Sequence, residues 1–330
     1  MFKLLMYFDM PEEAVKKLRE NGIEIKRGVT PDEENMCRDI ADADGLVAFE
    51  QPEHGFNRRI IDCAPKLKII ARRGVGYETV DYKYAEEKGI FVTNTPAINS
   101  RTVAEATILL MLECARNAQR TNEEFRRAKK DYRMFTSDLS SRGFELTGLT
   151  LGLMGCGNIG KHVAQIAHDG FKMRVLGYDA YAKNLPPYIE QVDSADRIFR
   201  ECDFVSLHMP STPETKGSIG MRQFEMMKKG AFLINTSRGD VVVEKDLIEA
   251  LEKKKIRGAG LDVFSSEPIS ESSYPLFDMD RVALTPHNAS FTVESLTNAI
   301  NSVVKSVIEV SKGEVPEFRV NNPNDPRNRK

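Results

Sequence analysis

At 330 residues the chain is long enough for two domains, each with its own hydrophobic core. Its 41% hydrophobic and 29% charged residues describe an ordinary globular protein, and a formal charge of −2 leaves no electrostatic footprint for nucleic acid or an anionic membrane surface. The longest apolar stretch, around Ile108–Leu112, is far too short to span a bilayer, and Met1–Asp9 lacks the basic start and cleavage site of a secretory signal, so a cytoplasmic protein with no membrane partner is expected.

In chain order, Lys3–Phe8 reads as an opening apolar strand. Pro11-Glu12-Glu13 then starts a helix with Pro at its first position and acids in its first turn, ending near Gly22. The rhythm continues with strand Ile23–Lys26, a polar helix through Ile40, strand Gly45–Phe49, a short helix, and strands Lys68–Ala71 and Ile90–Thr93. Strands alternating with helices predict a parallel sheet covered on both faces. At Asn94-Thr95-Pro96 the pattern breaks. Thr102-Val-Ala-Glu105 reads as a capping box before a long helix whose apolar stripe gives way to the charged Asn122–Lys130, and Asp131–Gly148 reads as a connecting arm.

From Leu149 the alternation resumes, with strands expected at Thr150–Met154, Met173–Tyr178, Asp203–Leu207, Ala231–Asn235, Gly258–Leu261 and Val282–Thr285, enough for a six-stranded doubly wound nucleotide fold. A last long helix, Val293–Val310, belongs to neither strand run. Because the first unit lacks a closing helix, the chain is expected to cross back and finish it. The polar, proline-containing tail from Asn321 reads as frayed.

Between the first two of those strands lies Gly155-Cys-Gly157-Asn-Ile-Gly160, a G-x-G-x-x-G turn leading into a helical pattern. Gly155 permits the tight turn, Gly157 lets backbone N–H groups approach a pyrophosphate, and Gly160 lets the helix pack close to the strand. The next apolar run ends in Asp179, where a carboxylate is wanted for the adenosine ribose, and Ala180 follows with no Arg to welcome a 2′-phosphate. NAD is therefore expected over NADP.

Ligands of an open parallel sheet lie outside the carboxyl ends of its strands. Four such ends here run into His208-Met-Pro210, Thr236-Ser-Arg238, Asp262 with Glu267-Pro268 beyond, and Pro286-His287-Asn-Ala-Ser290. Reduction of a ketone by hydride needs a group titrating near neutrality, which His287 supplies, and Glu267 is the candidate to hold the ring. Arg238 suits two-point recognition of a carboxylate. Asp262 is a candidate for the nicotinamide carboxamide. Each has a plainer reading: Glu267 as a cap, Asp262 as a turn residue, His208 as a pocket-lining histidine without chemistry. The five cysteines, odd in number and scattered, show neither a disulfide framework nor a zinc pattern, so free thiols are expected; the five histidines are too dispersed for a helical metal pair, and no metal is assigned.

The chain resembles the D-isomer-specific 2-hydroxyacid dehydrogenases, the group that contains glyoxylate and hydroxypyruvate reductases, D-lactate dehydrogenase and D-3-phosphoglycerate dehydrogenase. The resemblance is carried by Arg73-Gly-Val-Gly-Tyr77, Val103-Ala-Glu105, Gly155–Gly160 with Asp179, His208-Met-Pro210, Ile234–Gly239, Gly260–Val263 with Glu267-Pro268, and Pro286–Ser290. It implies an α/β fold of two doubly wound parallel-sheet domains, with a Rossmann NAD-binding domain (100–290) inserted into a flavodoxin-like substrate domain (1–99 and 291–330), hinged near Asn99 and Ser290. It further implies a catalytic set of Arg238, Glu267 and His287, with His287 as proton donor, and a substrate bound by Val75, Gly76, Arg238 and His287, its carboxylate held by the backbone N–H groups at Val75 and Gly76. The expected cofactor contacts are Gly155, Gly157, Asn158, Ile159, Gly160, Asp179, His208, Pro210, Thr236, Ser237, Asp262 and Ser290. A homodimer through the helix after Thr102 is implied as well.

Departures bear on the substrate. Phosphoglycerate enzymes of the family resemble one another in an Arg just after the strand corresponding to Gly45–Val47, where this chain has Ala48-Phe-Glu-Gln51. Arg73 and Arg133 are the possible replacements, with Phe49, Ile98 and Tyr132 the other positions bearing on substrate size. A chain that stops at 330 is also expected to carry no regulatory domain after the dehydrogenase. A small unphosphorylated 2-oxoacid is therefore preferred, with phosphoglycerate as the alternative. An NAD-sensing corepressor on the same scaffold is a further rival; formate-type relatives, with Gln where Glu267 stands, fit less well.

Overall fold

Strand β1 (Phe2–Met6) alternates its side chains so that Leu5 packs on one face of a sheet and Leu4 and Met6 on the other, all fully buried. The computed structural model describes residues 1–48, 55–77, 79–128, 143–269, 274–279 and 281–327; Phe49, Tyr132 and Arg133 lie outside them. After β1 come α1 (Glu12–Glu20), β2 (Ile23–Arg27), α2 (Glu33–Ile40), β3 (Gly45–Ala48), α3 (Arg58–Asp62), β4 (Ile69–Arg72), α4 (Tyr82–Glu87) and β5 (Phe91–Thr93). The five strands are parallel in the order β2-β1-β3-β4-β5, the flavodoxin-like arrangement. Pro11 stands at the N-cap of α1, one position before the expected one.

The second unit, Asn99–Phe291, opens with α5 (Ser100–Arg116) and α6 (Ala118–Ala128). The expected capping box is not formed. Asn99 is the N-cap, Thr102 lies inside the helix, and Glu105 pairs with Arg101 at 3.1 Å. Nor is there one long helix: Asn117 adopts a left-handed conformation (φ 50°) and separates α5 from α6.

Then follow β6 (Thr150–Met154), α7 (Asn158–Phe171), β7 (Arg174–Tyr178), β8 (Glu190–Gln191), α8 (Ala195–Glu201), β9 (Phe204–Leu207), α9 (Met221–Met226), β10 (Phe232–Asn235), α10 (Glu244–Glu252), β11 (Gly258–Leu261) and β12 (Val282–Leu284). The sheet is parallel in the order β12-β11-β10-β9-β6-β7-β8. This is the Rossmann order with a seventh strand at one end, and the two-residue, exposed β8 is one strand more than the six expected. The order reverses between β6 and β9, which sets the crevice at their carboxyl ends.

Helix α11 (Val293–Ser311), capped by the Thr292 side chain on Ser295 N–H, packs with the first unit, 1–98 and 292–330. Its stripe of Ile300, Val303, Val304, Val307 and Val310 is buried with Leu4, Leu18 and Phe91. Each fully buried side chain of this kind is worth about 1.5–3 kcal/mol, which decides the return of the chain to this sheet.

The tail is not frayed up to Arg327. Asn321 accepts from Val92 N–H at 2.8 Å and donates to the Tyr82 and Ile90 carbonyls, and Arg327 Nη1 donates to Ala64 O at 2.8 Å. Polar composition reads as solvated, yet here Asn321 satisfies open backbone at the β5 edge and Arg327 a carbonyl beyond α3.

Cysteine usage also departs from expectation. Cys37 on α2 and Cys63 at the end of α3 are joined as a disulfide across 26 residues, leaving Cys114, Cys156 and Cys202 as buried free thiols. No helix among the described residues is long and apolar enough to cross a membrane.

Candidate active site

The turn after β6 is built by backbone crowding. Gly155 has φ 100°, and a Cβ there would meet His208 O at 2.6 Å; a Cβ on Gly160 would meet Gly155 O at 2.4 Å. These approaches bring the start of α7 against the strand. Around Gly157, the N-cap of α7, no described residue other than its chain neighbours comes within 4 Å of the place a Cβ would take, so the helix N-terminus opens onto free space beside Asn158 and Ile159. That cradle fits a dinucleotide pyrophosphate.

At the end of β7, Asp179 Oδ2 accepts from Cys156 N–H at 2.7 Å, and Oδ1 accepts from Tyr181 and Ala182 N–H at 2.8 Å. Partial burial works to raise its pKa, but these three donors outweigh it and hold the carboxyl below its ordinary value, so it is ionised at neutral pH. The same carboxylate therefore shapes the glycine turn and offers its remaining lone pairs to a diol. Asp179→Ala is expected to weaken NADH binding about tenfold or more and to narrow the kcat/KM gap between NADH and NADPH. An unchanged preference in a variant of normal thermal stability would place ribose recognition elsewhere.

Beyond β9, His208 Nε2 is bonded to Ser206 Oγ at 2.9 Å, and burial pushes the imidazole down to about 3, so the ring is neutral across the working pH range. Its Nδ1 is buried and without a partner among the described residues. This is a group built for packing or for hydrogen bonding, not for proton donation.

The strand end after β10 holds Arg238. The buried Asn235 organises it: Asn235 Oδ1 accepts from Ser237 N–H (3.0 Å) and Oγ (2.8 Å), and its Nδ2 donates to Arg238 O (2.9 Å). The Thr236 hydroxyl is bonded to Thr107 Oγ1 on α5 at 2.9 Å, and because Thr107 already donates to Val103 O, Thr236 is the donor. Gly239 lets this loop touch the next, since a Cβ there would lie 1.8 Å from Phe264 O.

After β11, Asp262 is 1% exposed, and its carboxylate is saturated by the 285–289 loop: Thr285 Oγ1 at 2.6 Å, Asn288 N–H at 2.9 Å and Ala289 N–H at 3.0 Å. His287 N–H donates to Asp262 O at 2.8 Å. Burial raises the Asp262 pKa against these donors. Its visible work is to hold the loop that carries His287.

His287 Nδ1 lies 2.5 Å from Glu267 Oε2, and Glu267 Oε1 accepts from Phe264 N–H at 2.8 Å. A carboxylate only accepts, so Nδ1 carries the hydrogen and Nε2 is the nitrogen left to face a ligand. The Glu267 bond raises the His287 pKa above 6.5 against partial burial; burial works to raise Glu267, but the His287 bond and the Phe264 N–H bring it below its ordinary value. Arg238 acts electrostatically on both, so the three groups share one site. Pro210 and Ser290 flank it in sequence on the β9 and β12 loops.

Val75 and Gly76 lie in the other unit, in the loop after β4. There the carbonyls of Gly74, Val75 and Gly76 are tied to Thr95 N–H, the Asn94 amide and Arg72. Arg73 stacks on Phe8, 5.4 Å from the ring centre. Asn235 and Gly239 fall inside the Ile234–Gly239 motif and Thr285 closes a predicted strand, but none of the three is assigned a role from sequence; beyond the motif, the signal for Asn235 is a polar residue closing an apolar strand two positions before a serine.

A Rossmann sheet with a glycine turn at its switch point defines a dinucleotide-binding protein of the dehydrogenase class. Residues 108–289 match the D-isomer specific 2-hydroxyacid dehydrogenase, NAD binding domain. The chain is 39% identical to D-3-phosphoglycerate dehydrogenase of Methanocaldococcus jannaschii over 99% of its own length, and spans 61% of that relative's length. It is 36% identical to glyoxylate reductase of Korarchaeum cryptofilum over 95% of this chain and 94% of the relative. Among solved structures, D-lactate dehydrogenase with NAD+ from Lactobacillus jensenii is 31% identical and superposes with a TM-score of 0.76 over 97% of this chain and all of that one. The chain belongs to the D-isomer specific 2-hydroxyacid dehydrogenase family.

Proposed function

We propose that this protein is an NAD(H)-dependent oxidoreductase that interconverts a small D-2-hydroxyacid and its 2-oxoacid, in the manner of a glyoxylate or hydroxypyruvate reductase. The observation that carries the reading is the Glu267–His287 pair at 2.5 Å, within electrostatic reach of Arg238 and on the same sheet edge as the glycine turn. Bound NADH supplies the hydride. Glu267 favours the protonated form of His287, and His287 Nε2 gives its proton to the substrate carbonyl oxygen during reduction and takes it back during oxidation. Arg238 polarises the carbonyl and engages the carboxylate.

The second unit is the NAD-binding domain in this reading and the first the substrate domain. The enzyme works in the cytoplasm as a homodimer through the helix after Thr102, which exposes Leu109.

The test is NADH oxidation against glyoxylate, hydroxypyruvate, pyruvate, longer 2-oxoacids and 3-phosphohydroxypyruvate. An unphosphorylated acid is expected to give the highest kcat/KM, because a doubly charged phosphate wants more than one cation and Arg73 is already stacked on Phe8. Preference for the phosphorylated acid would assign D-3-phosphoglycerate oxidation instead; no turnover with any of them would overturn the reading.

A further inference from the structure

The three free thiols are sealed. Cys114, Cys156 and Cys202 are buried, and burial pushes each to about 12, so none offers a thiolate at neutral pH. Cys37 and Cys63 are different: both are half-buried, on the outer helices of the first unit, with Cα atoms 5.2 Å apart and their sulfurs bonded.

What the bond joins is informative. Helix α3 has five residues, too few to hold itself by its own hydrogen bonds. Its N-terminal end is fixed to α2 through Glu33, which accepts from Asn57 Nδ2 and Arg59 Nη1, each at 2.7 Å. Its C-terminal end is fixed to α2 by Cys63–Cys37. Beneath the pair lie Ile60 and Ile61, buried with Met36 and Ile40 of α2, so this apolar packing holds the two helices close whether or not the sulfurs are bonded. A bond that is reachable from solvent, with its partners kept in register by other contacts, can open and close without unfolding the domain.

We propose that Cys37–Cys63 is an exchangeable redox site whose reaction partner is a small-molecule thiol, and whose state sets how firmly α3 is held to α2. A thiolate of the small molecule attacks one protein sulfur, the S–S bond breaks, and the other cysteine leaves as a thiolate that takes a proton. A second small-molecule thiolate then attacks the mixed disulfide, releasing the second cysteine, which also takes a proton. Two thiols are oxidised to one small-molecule disulfide, and the protein gains two electrons and two protons.

The experiment equilibrates the folded full-length chain in glutathione buffers of graded reduced-to-oxidised ratio, quenches with acid, unfolds, and counts thiols by maleimide mass tagging. The expected result is a titration from three tags to five, with the two additional cysteines also tagged in the reduced, still folded protein. Reduction is expected to lower the thermal midpoint by about 5–10 °C, the size of effect for opening a closed loop of 26 residues, and to speed amide exchange at Ile60, Ile61 and Ala64. A Cys37→Ser, Cys63→Ser double variant should match the reduced midpoint and ignore the glutathione ratio. Three tags at every ratio, five at every ratio, or exchange that occurs only with global unfolding would each overturn the proposal, and all three are read on the unmodified protein.

Discussion

Replacing His287 by Asn is expected to lower kcat for 2-oxoacid reduction about 10²–10⁴-fold, the usual contribution of a positioned general acid, while leaving NADH affinity within about twofold. Asn preserves a polar group of similar reach toward Glu267, so the loss isolates the proton. The wild-type pH profile provides the sign. His287 is raised above 6.5 by Glu267, and reduction uses the protonated ring. Reductive kcat/KM should therefore be level at low pH and fall as pH rises through that raised pKa, whereas oxidation, which uses the neutral ring, should rise through it. Glu267→Gln removes the charge and should move both limbs toward lower pH. Coincident profiles for wild type and the Asn variant would remove His287 from proton transfer.

The strands that form the site were readable because they are short, fully buried and punctuated. Thr150–Met154 and Gly258–Leu261 are apolar runs ending in a glycine turn and an aspartate, and their expected and observed limits coincide. Helix α11 was readable from its stripe, and its destination followed from the missing closing helix. What escaped the sequence depends on contacts distant along the chain. Cys37 and Cys63 sit on separate helices with no local pattern between them. Asn321 is a buried residue only because the Val92 N–H and the Tyr82 and Ile90 carbonyls stand opposite it. Strand β8 is two exposed residues that pair with Leu176 and Gly177 and have no apolar pattern of their own.

The site divides in the same way. The groups expected to do chemistry were visible as polar residues closing apolar strands, since open parallel sheets leave few other places for them. The groups that hold them were not. Asp262, expected at the nicotinamide carboxamide with a turn role as its plainer reading, has a carboxylate that accepts from Thr285, Asn288 and Ala289, three donors on one loop, and so sets the backbone from which His287 projects at φ 51°. A residue that works by accepting backbone N–H groups leaves no trace in side-chain spacing.

Arg238→Ala is the second large effect expected. Arg238 is presented by a loop that Asn235 folds back on itself, and Gly239 presses that loop on Phe264, so the guanidinium stands on a rigid base. Removing it takes away a pair of charge-assisted hydrogen bonds to substrate, about 1.5–3 kcal/mol each, and kcat/KM for the 2-oxoacid should fall about 10²–10⁴-fold with NADH affinity unchanged. Because Arg238 also lowers the His287 pKa, its loss should move the pH limb of any residual reduction upward, opposite in direction to Glu267→Gln. Arg238→Lys keeps the charge but not the planar fork, so it should restore the pH limb while recovering only part of the rate. That separation of the two readouts distinguishes substrate engagement from a loop that has merely loosened: a loosened loop would carry the Lys charge away from His287, so the rate would be depressed and the pH limb shifted in the Lys variant as in the Ala variant. Normal turnover in Arg238→Ala would strike it from the mechanism.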